Sequence, residues 1–201
     1  MEIATDVNDL KNIVYHYYPK GIDAFEQRDE YLQSEEYSRL SQKIKSQKYL
    51  SEDNGIDCVS KRMSKEMGLT FEDNTLFSWE DRCYNFQLLL HSGDNIRHIL
   101  CLNISILGNY YSTYVLELVI SNSGKYRTYD ISRLENLVDV DYDEYIEQVD
   151  QIVSNCMKGC VKLGEDILNT KIGDVSFQDI VKDDFTYFNA LFLNQYYTKF
   201  Q

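Results

Sequence analysis

The chain has one proline, one tryptophan and three histidines in 201 residues. It has no apolar run of the roughly 18 residues that a membrane span needs. A single proline leaves no room for a proline-rich linker, and no internal repeat or low-complexity tract marks a domain boundary. The first residues, MEIATDVNDLKN, lack the basic and apolar regions of a secretory signal. Positive charge is also scarce: 20 bases face 33 acids, a net of -13. That deficit argues against nucleic acid and anionic membrane as partners, since both need a basic surface. GxSxG, HExxH, P-loop and GxGxxG signatures are missing as well. The five cysteines are odd in number and irregularly spaced, which predicts reduced thiols, and with them a cytoplasmic protein.

What is present fits a soluble globular chain, with 43% apolar and 26% charged residues. A single domain over residues 1–201 is predicted, long enough to bury its own core. The charge is uneven. Residues 1–65 carry 12 acids and 10 bases, leaving 21 acids and 10 bases for residues 66–201. A negative face of this kind steers basic partners.

Helices are predicted first. Thr5 or Asp6 can cap a helix with Val7, Leu10 and Val14 on one face, ended by Pro19-Lys20-Gly21. Ser34 can cap a second, with Tyr37, Leu40 and Ile44 on one face. A third, short one covers residues 59–67 and stops at Gly68. Four runs rich in β-branched, aromatic and leucine residues follow, separated by SGDN, GN and NSG. They predict a four-stranded antiparallel meander over residues 83–131. Tyr84, Phe86, Leu88 and Leu90 share one face of the first strand, and Ile96, Leu100, Leu102, Ile104 and Ile106 share one face of the second. Aligning those faces requires an odd-length loop or a bulge near Gly93. The third strand is apolar on both faces toward its end, as a central strand is.

From Tyr145 the apolar spacing Val149, Ile152, Val153, Cys156, Cys160, Leu163, Ile167 predicts a long helix over 144–169. The fold class is therefore α+β, with the meander packed by that helix and by short N-terminal helices. The tail FTYFNALFLNQYYTKF is too apolar to be left undocked, and its pattern does not decide between helix and strand.

Several stretches invite a chemical reading. VDVDYDEYIEQVD (138–150) places carboxylates at positions 1, 3, 5, 9 and 12 counted from Asp139, much of an EF-hand pattern. Its sixth residue is Glu144, where the calcium loop needs the positive φ of glycine, and the helical spacing already begins inside it. The stretch is read as the acidic start of a helix, with no metal site. Cys156 and Cys160, four apart on the apolar stripe, are read as core residues. His91 and His98 flank one hairpin with Asp94 between them, without an accompanying nucleophile motif. The 17 tyrosines cluster in YHYY, NYYSTY and QYY. Tyrosine suits interfaces because it joins a large apolar body to a polar tip.

VYHYYPKGI (14–22) and NTLFSWEDRCYNFQLLLHSG (74–93), together with the small acidic plan, resemble immunity-type proteins of bacterial toxin–immunity systems. The resemblance implies a non-enzymatic protein that neutralises a cognate toxin by binding it, without a cofactor. The expectation is an acidic binding protein that masks the active site of a basic partner. Its partner-binding residues are expected to be Glu135, Asp139, Asp141, Asp143, Glu144, Glu147 and Asp150, with Tyr110, Tyr111 and Tyr114. The alternative is a small carboxylate-dependent hydrolase or sugar-binding protein using Asp73 with Glu80 or Asp81 beside aromatic platforms. A scaffold subunit is a third.

Overall fold

The structure, a computed structural model, describes residues 7–47, 55–123, 126–134 and 142–200. Four helices come first: α1 (Val7–Tyr17), α2 (Arg28–Gln33), α3 (Glu35–Gln47) and α4 (Ile56–Glu66). Each owes its place to a narrow apolar face: Leu10 and Val14 in α1, Leu40 and Ile44 in α3, and Ile56, Val59 and Met63 in α4 are buried. Ser34 caps α3, its hydroxyl accepting the Tyr37 N–H at 3.2 Å. Thr5 and Asp6, expected to cap α1, lie outside the described residues.

The meander is present as β2 (Cys83–Ser92), β3 (Ile96–Ser105), β4 (Tyr110–Ser123) and β5 (Tyr126–Arg133). The sheet has six strands rather than four. The short β1 (Thr70–Asp73) pairs with the outer edge of β2, and the two-residue β6 (Val161–Lys162) pairs parallel to β4 at Tyr110 and Tyr111. Neither addition is long enough to show an alternating pattern.

The expected parity correction is a bulge. The register of β2 on β3 shifts between Leu89 and His91, and one extra residue restores alignment. Phe86 therefore sits opposite Leu102, and Leu88 opposite Leu100. β4 lies between β3 and β5, and its two faces enter different cores, Tyr114, Leu116 and Leu118 in one and Tyr111 and Val115 in the other.

The long helix is shorter than its apolar spacing predicts. α5 runs from Asp143 to Cys156 and stops at Met157, and Gly159 then takes the left-handed φ of +80°. The chain crosses at β6 to the other side of the sheet. Val149, Ile152 and Val153 pack with α4 on one face, while Leu163 and the short α6 (Glu165–Leu168) pack on the other. The apolar spacing continues through 156–167 because both halves face a core, but not the same one.

The cysteine reading also needs correction. Cys58 of α4 and Cys156 of α5 form a disulfide across 98 residues. Packing of Val59 and Met63 on Val149 and Val153 brings them together, which cysteine spacing cannot show. Gly55 sits under the bridge, where an added Cβ would lie 2.9 Å from the Cys156 carbonyl oxygen. Cys83 and Cys101 are buried free thiols and Cys160 is half-buried.

The sheet is thus covered on both sides. α4 and α5 cover the face of Phe86, Leu88, Leu100 and Leu102. The face of Cys83, Ile99, Cys101 and Leu116 is covered by α1, α3 and the C-terminal segment. That segment holds a short helix, α7 (Tyr187–Leu191), started by a capping box between Thr186 and Asn189, and then runs irregularly over the sheet. The buried Gln87 of β2 and the half-buried Arg97 of β3 hold this segment. Gln87 donates to the Tyr197 carbonyl at 2.8 Å and accepts the Thr198 hydroxyl at 2.7 Å, and Arg97 donates to the Phe200 carbonyl at 2.7 Å. Among the described residues no helix is long and apolar enough to cross a membrane.

Candidate partner-binding site

Three connections meet at one surface: residues 22–27, the turn 76–82 before β2, and residues 174–195. The first is fixed by Asp23, whose carboxylate accepts the N–H groups of Phe25 at 2.9 Å and Glu26 at 3.0 Å. Those bonds hold its pKa below the ordinary carboxylate value. Ala24 is buried and donates to the Ser176 hydroxyl at 2.8 Å, so Phe25 beside it is turned outward and left 77% exposed. In the third connection, Phe177 and Ile180 close a tight turn through reciprocal backbone bonds of 3.2 and 3.0 Å. Phe177 is buried beneath that turn, and Gln178 takes a φ of +53°.

The middle connection carries the single tryptophan. A 3-10 turn (Phe77–Trp79) leaves Trp79 62% exposed and ends at Glu80, whose φ is +63°. Glu80 and Gln178 are the two non-glycine residues with positive φ among the described residues, and they are bonded to each other. Gln178 Nε2 donates to Glu80 Oε2 at 2.8 Å. The other oxygen of Glu80 accepts the Tyr37 hydroxyl at 2.8 Å. Backbone conformations of this kind are costly and persist where surrounding structure enforces them, often at functional sites.

Arg82 lies behind this surface, 1% exposed. It stacks on the Phe177 ring at 4.7 Å and donates to the Glu80 carbonyl at 2.9 Å, to the Asn189 carbonyl, and to Asn194 Oδ1 at 2.7 Å. Asn194 in turn donates to Gln178 Oε1. A polar relay therefore runs from Arg82 through Asn194 and Gln178 to Glu80, and it fixes the three connections relative to one another.

Two clefts open on either side of Gln178. One, of about 300 Å³, is lined by Trp79, Asp81, Arg82, Gln178, Asn194, Gln195 and Tyr197. Asp81 is buried, accepts the Leu76 N–H at 3.1 Å and the Tyr197 hydroxyl through the same oxygen, and burial raises its pKa. The other cleft, of about 270 Å³, is lined by Phe25, Ile180, Val181 and Gln178 with the acids Asp23, Glu26 and Asp179, and by no base. Phe25, Trp79 and Val181 are the three most exposed large apolar side chains among the described residues. All three border these clefts.

The residues expected to bind a partner lie elsewhere. Glu135, Asp139 and Asp141 fall outside the described residues. Asp143, Glu144 and Glu147 are exposed on the first turns of α5, and Asp150 is half-buried and paired with Lys162 at 2.7 Å. α5 begins at Asp143, so the last positions of the calcium-like pattern are helical. The tyrosines are a correction. Tyr111 and Tyr114 are buried on opposite faces of β4 and Tyr110 is half-buried, because β6 and the C-terminal segment supply the core that NYYSTY fills.

His91 and His98 do come together, with ring centroids 5.5 Å apart. His98 lies between the Tyr142 hydroxyl at 2.7 Å and Glu117 at 3.4 Å, and tethers the start of α5 to the sheet. Among the described residues no group of three or more histidines, cysteines and acids could hold a metal ion. Of the carboxylates proposed for hydrolysis, Asp73 accepts the Thr75 N–H at 3.0 Å and Glu80 is held by Tyr37 and Gln178. Asp81 alone lines the larger cleft.

Sequence reasoning missed this surface because its residues come from three distant segments. The one usable signal was the solitary Trp79 inside a polar turn. The two stretches that carry the immunity-type resemblance converge here. Tyr18 donates to the Ala190 carbonyl at 2.7 Å, Gly21 donates to the Asp174 carbonyl at 2.8 Å, and Arg82 donates from its backbone to Phe192 at 3.0 Å. No family model, no curated protein and no solved structure matches the chain.

Proposed function

We propose that the protein is a non-enzymatic inhibitor of the immunity type, which binds a basic partner protein and covers its active site. The observation that carries the reading is the surface around Gln178. Exposed Phe25, Trp79 and Val181 surround a strained, mutually bonded pair, with acids and no base lining the apolar cleft. Aromatic anchors with a charged rim are what tight protein interfaces use. The net charge of -13 adds long-range attraction for a basic partner. A carboxylate-dependent hydrolase has less support, because glycoside chemistry needs two carboxylates about 5 to 10 Å apart across the cleft and one lines this one.

The experiment is co-expression with the product of the neighbouring gene and isolation of the complex. Phe25→Asp and Val181→Asp change exposed side chains, so the fold should persist while the complex is lost. Tyr129→Asp, also exposed but on β5, should leave it intact. A complex that survives both cleft substitutions would move the interface elsewhere.

A further inference from the structure

We infer that the cleft beneath Trp79 receives an arginine side chain of the partner. This rests on the partner-binding reading and names the group that the partner inserts. Trp79 and Tyr197 form two adjoining aromatic walls, their ring centroids 6.3 Å apart and their planes inclined by 49°. Asp81 lines the same cleft, and both of its hydrogen bonds fall on Oδ2, leaving Oδ1 for a ligand. Two aromatic rings with a carboxylate in the same cleft are a set of groups that attracts a cation. A guanidinium is planar, so it can stack on the indole while an edge donates to the carboxylate. At about 300 Å³ the cleft is at the small end for ligands, a size for one side chain rather than a folded segment.

Two features of the wall bear on this choice. Arg82 is itself a cation, but it is 1% exposed and its two terminal nitrogens donate to Glu80, Asn189 and Asn194. Asp81 is the acid and Arg82 the base of the lining, and the Glu80 carboxylate behind them is bonded to Tyr37 and Gln178. A saccharide would instead need free amide heads around its ring. Gln178 and Asn194 are engaged with each other, with Glu80 and with Arg82. The relay that stiffens the wall leaves the aromatic faces, the Asp81 oxygen and the exposed Gln195 amide as the means of recognition.

Trp79 is the only tryptophan, so its emission reports this cleft alone. The wild-type protein is titrated with N-acetyl-arginine amide, with the citrulline counterpart as a neutral isostere, and with methyl glucoside. Arginine amide should shift the emission saturably, with citrulline at least about tenfold weaker and glucoside without effect. Asp81→Asn should reduce arginine to the citrulline level. The arginine–citrulline comparison needs no variant, so it decides the matter even if Asp81→Asn fails to fold. Equal responses to arginine and citrulline, no response to either, or a response to glucoside would overturn the inference. In the complex, Trp79→Ala should weaken partner binding by at least about tenfold. A partner that binds wild type and Trp79→Ala equally sinks the anchor and leaves the partner reading standing. An arginine response without any partner does the reverse.

Discussion

Tyr18 is fully buried, and burial pushes its hydroxyl pKa from the ordinary 10.0 up to about 12. The hydroxyl donates to the Ala190 carbonyl at 2.7 Å, which only the neutral form can do. The folded state therefore holds this proton more tightly than the unfolded chain. The stability it contributes is complete below pH 10 and is lost as pH rises through about 12. Tyr18→Phe should cost about 1 kcal/mol near neutral pH, the net worth of one hydrogen bond. The advantage of wild type should shrink above pH 10 and reverse before pH 12, because the phenylalanine does not titrate and the shift is worth more than the bond. Urea unfolding at several alkaline pH values checks this, and a wild-type advantage that grows there would contradict the assignment. Tyr31 follows the same logic, donating to the Ser176 carbonyl at 3.0 Å, whereas Tyr114 accepts from Asn103 at 3.1 Å and owes its raised pKa to burial. Sequence showed that tyrosine was abundant and amphipathic. It could not show that the polar tips point at backbone and amide groups inside the core rather than at a partner.

At the scale of elements, period decides what can be read. The meander was legible from its β-rich runs and turn signals, and α1, α3 and α4 from a single apolar face each. The parity of the β2–β3 hairpin was legible too, since a slip of one residue would turn every side chain of a strand to the opposite face. The end of α5 was not. Cys160, Leu163 and Ile167 continue its spacing after the chain has changed sides, and only Gly159 with positive φ marks the break. The disulfide of α4 with α5 was equally hidden, because it depends on helix packing. It closes 98 residues, for which about 2 to 4 kcal/mol of stabilisation is typical. Mass spectrometry of protein alkylated without reduction should find Cys58 and Cys156 joined and Cys83, Cys101 and Cys160 free. Cys58→Ser or added reductant should lower the melting temperature, with loosening confined to α4 and α5 in hydrogen exchange. Equal melting with and without reductant would show that the bridge does not form. The bridge counts against the reduced thiols that the cysteine spacing had suggested, since disulfides are rare in reducing compartments.

For the whole molecule the question is where its charge acts. The acids of α5 and those around Phe25 belong to opposite faces of the sheet, since α5 packs with α4 while Ala24 and Phe177 pack with α1 and the C-terminal segment. A partner seated at Gln178 meets the second group directly and feels the first only through solvent, where screening acts over about 8 Å at physiological salt. Asp23→Asn, Glu26→Gln and Asp179→Asn together should therefore slow association severalfold and flatten its salt dependence. Asparagine at 23 keeps an oxygen for the Phe25 and Glu26 amides, so the loop should hold its shape. The triple change Asp143→Asn, Glu144→Gln and Glu147→Gln removes as much charge and should slow association less. Phe25→Ala and Val181→Ala should instead raise the dissociation rate and leave association nearly unchanged, because buried apolar anchors act after encounter. Binding kinetics at two ionic strengths separates these cases. If the α5 set dominates, the partner sits on the other face and the acidic stretch first singled out in the sequence is the interface. If neither set matters and binding ignores salt, the partner is not basic, and electrostatic steering has no part in the function.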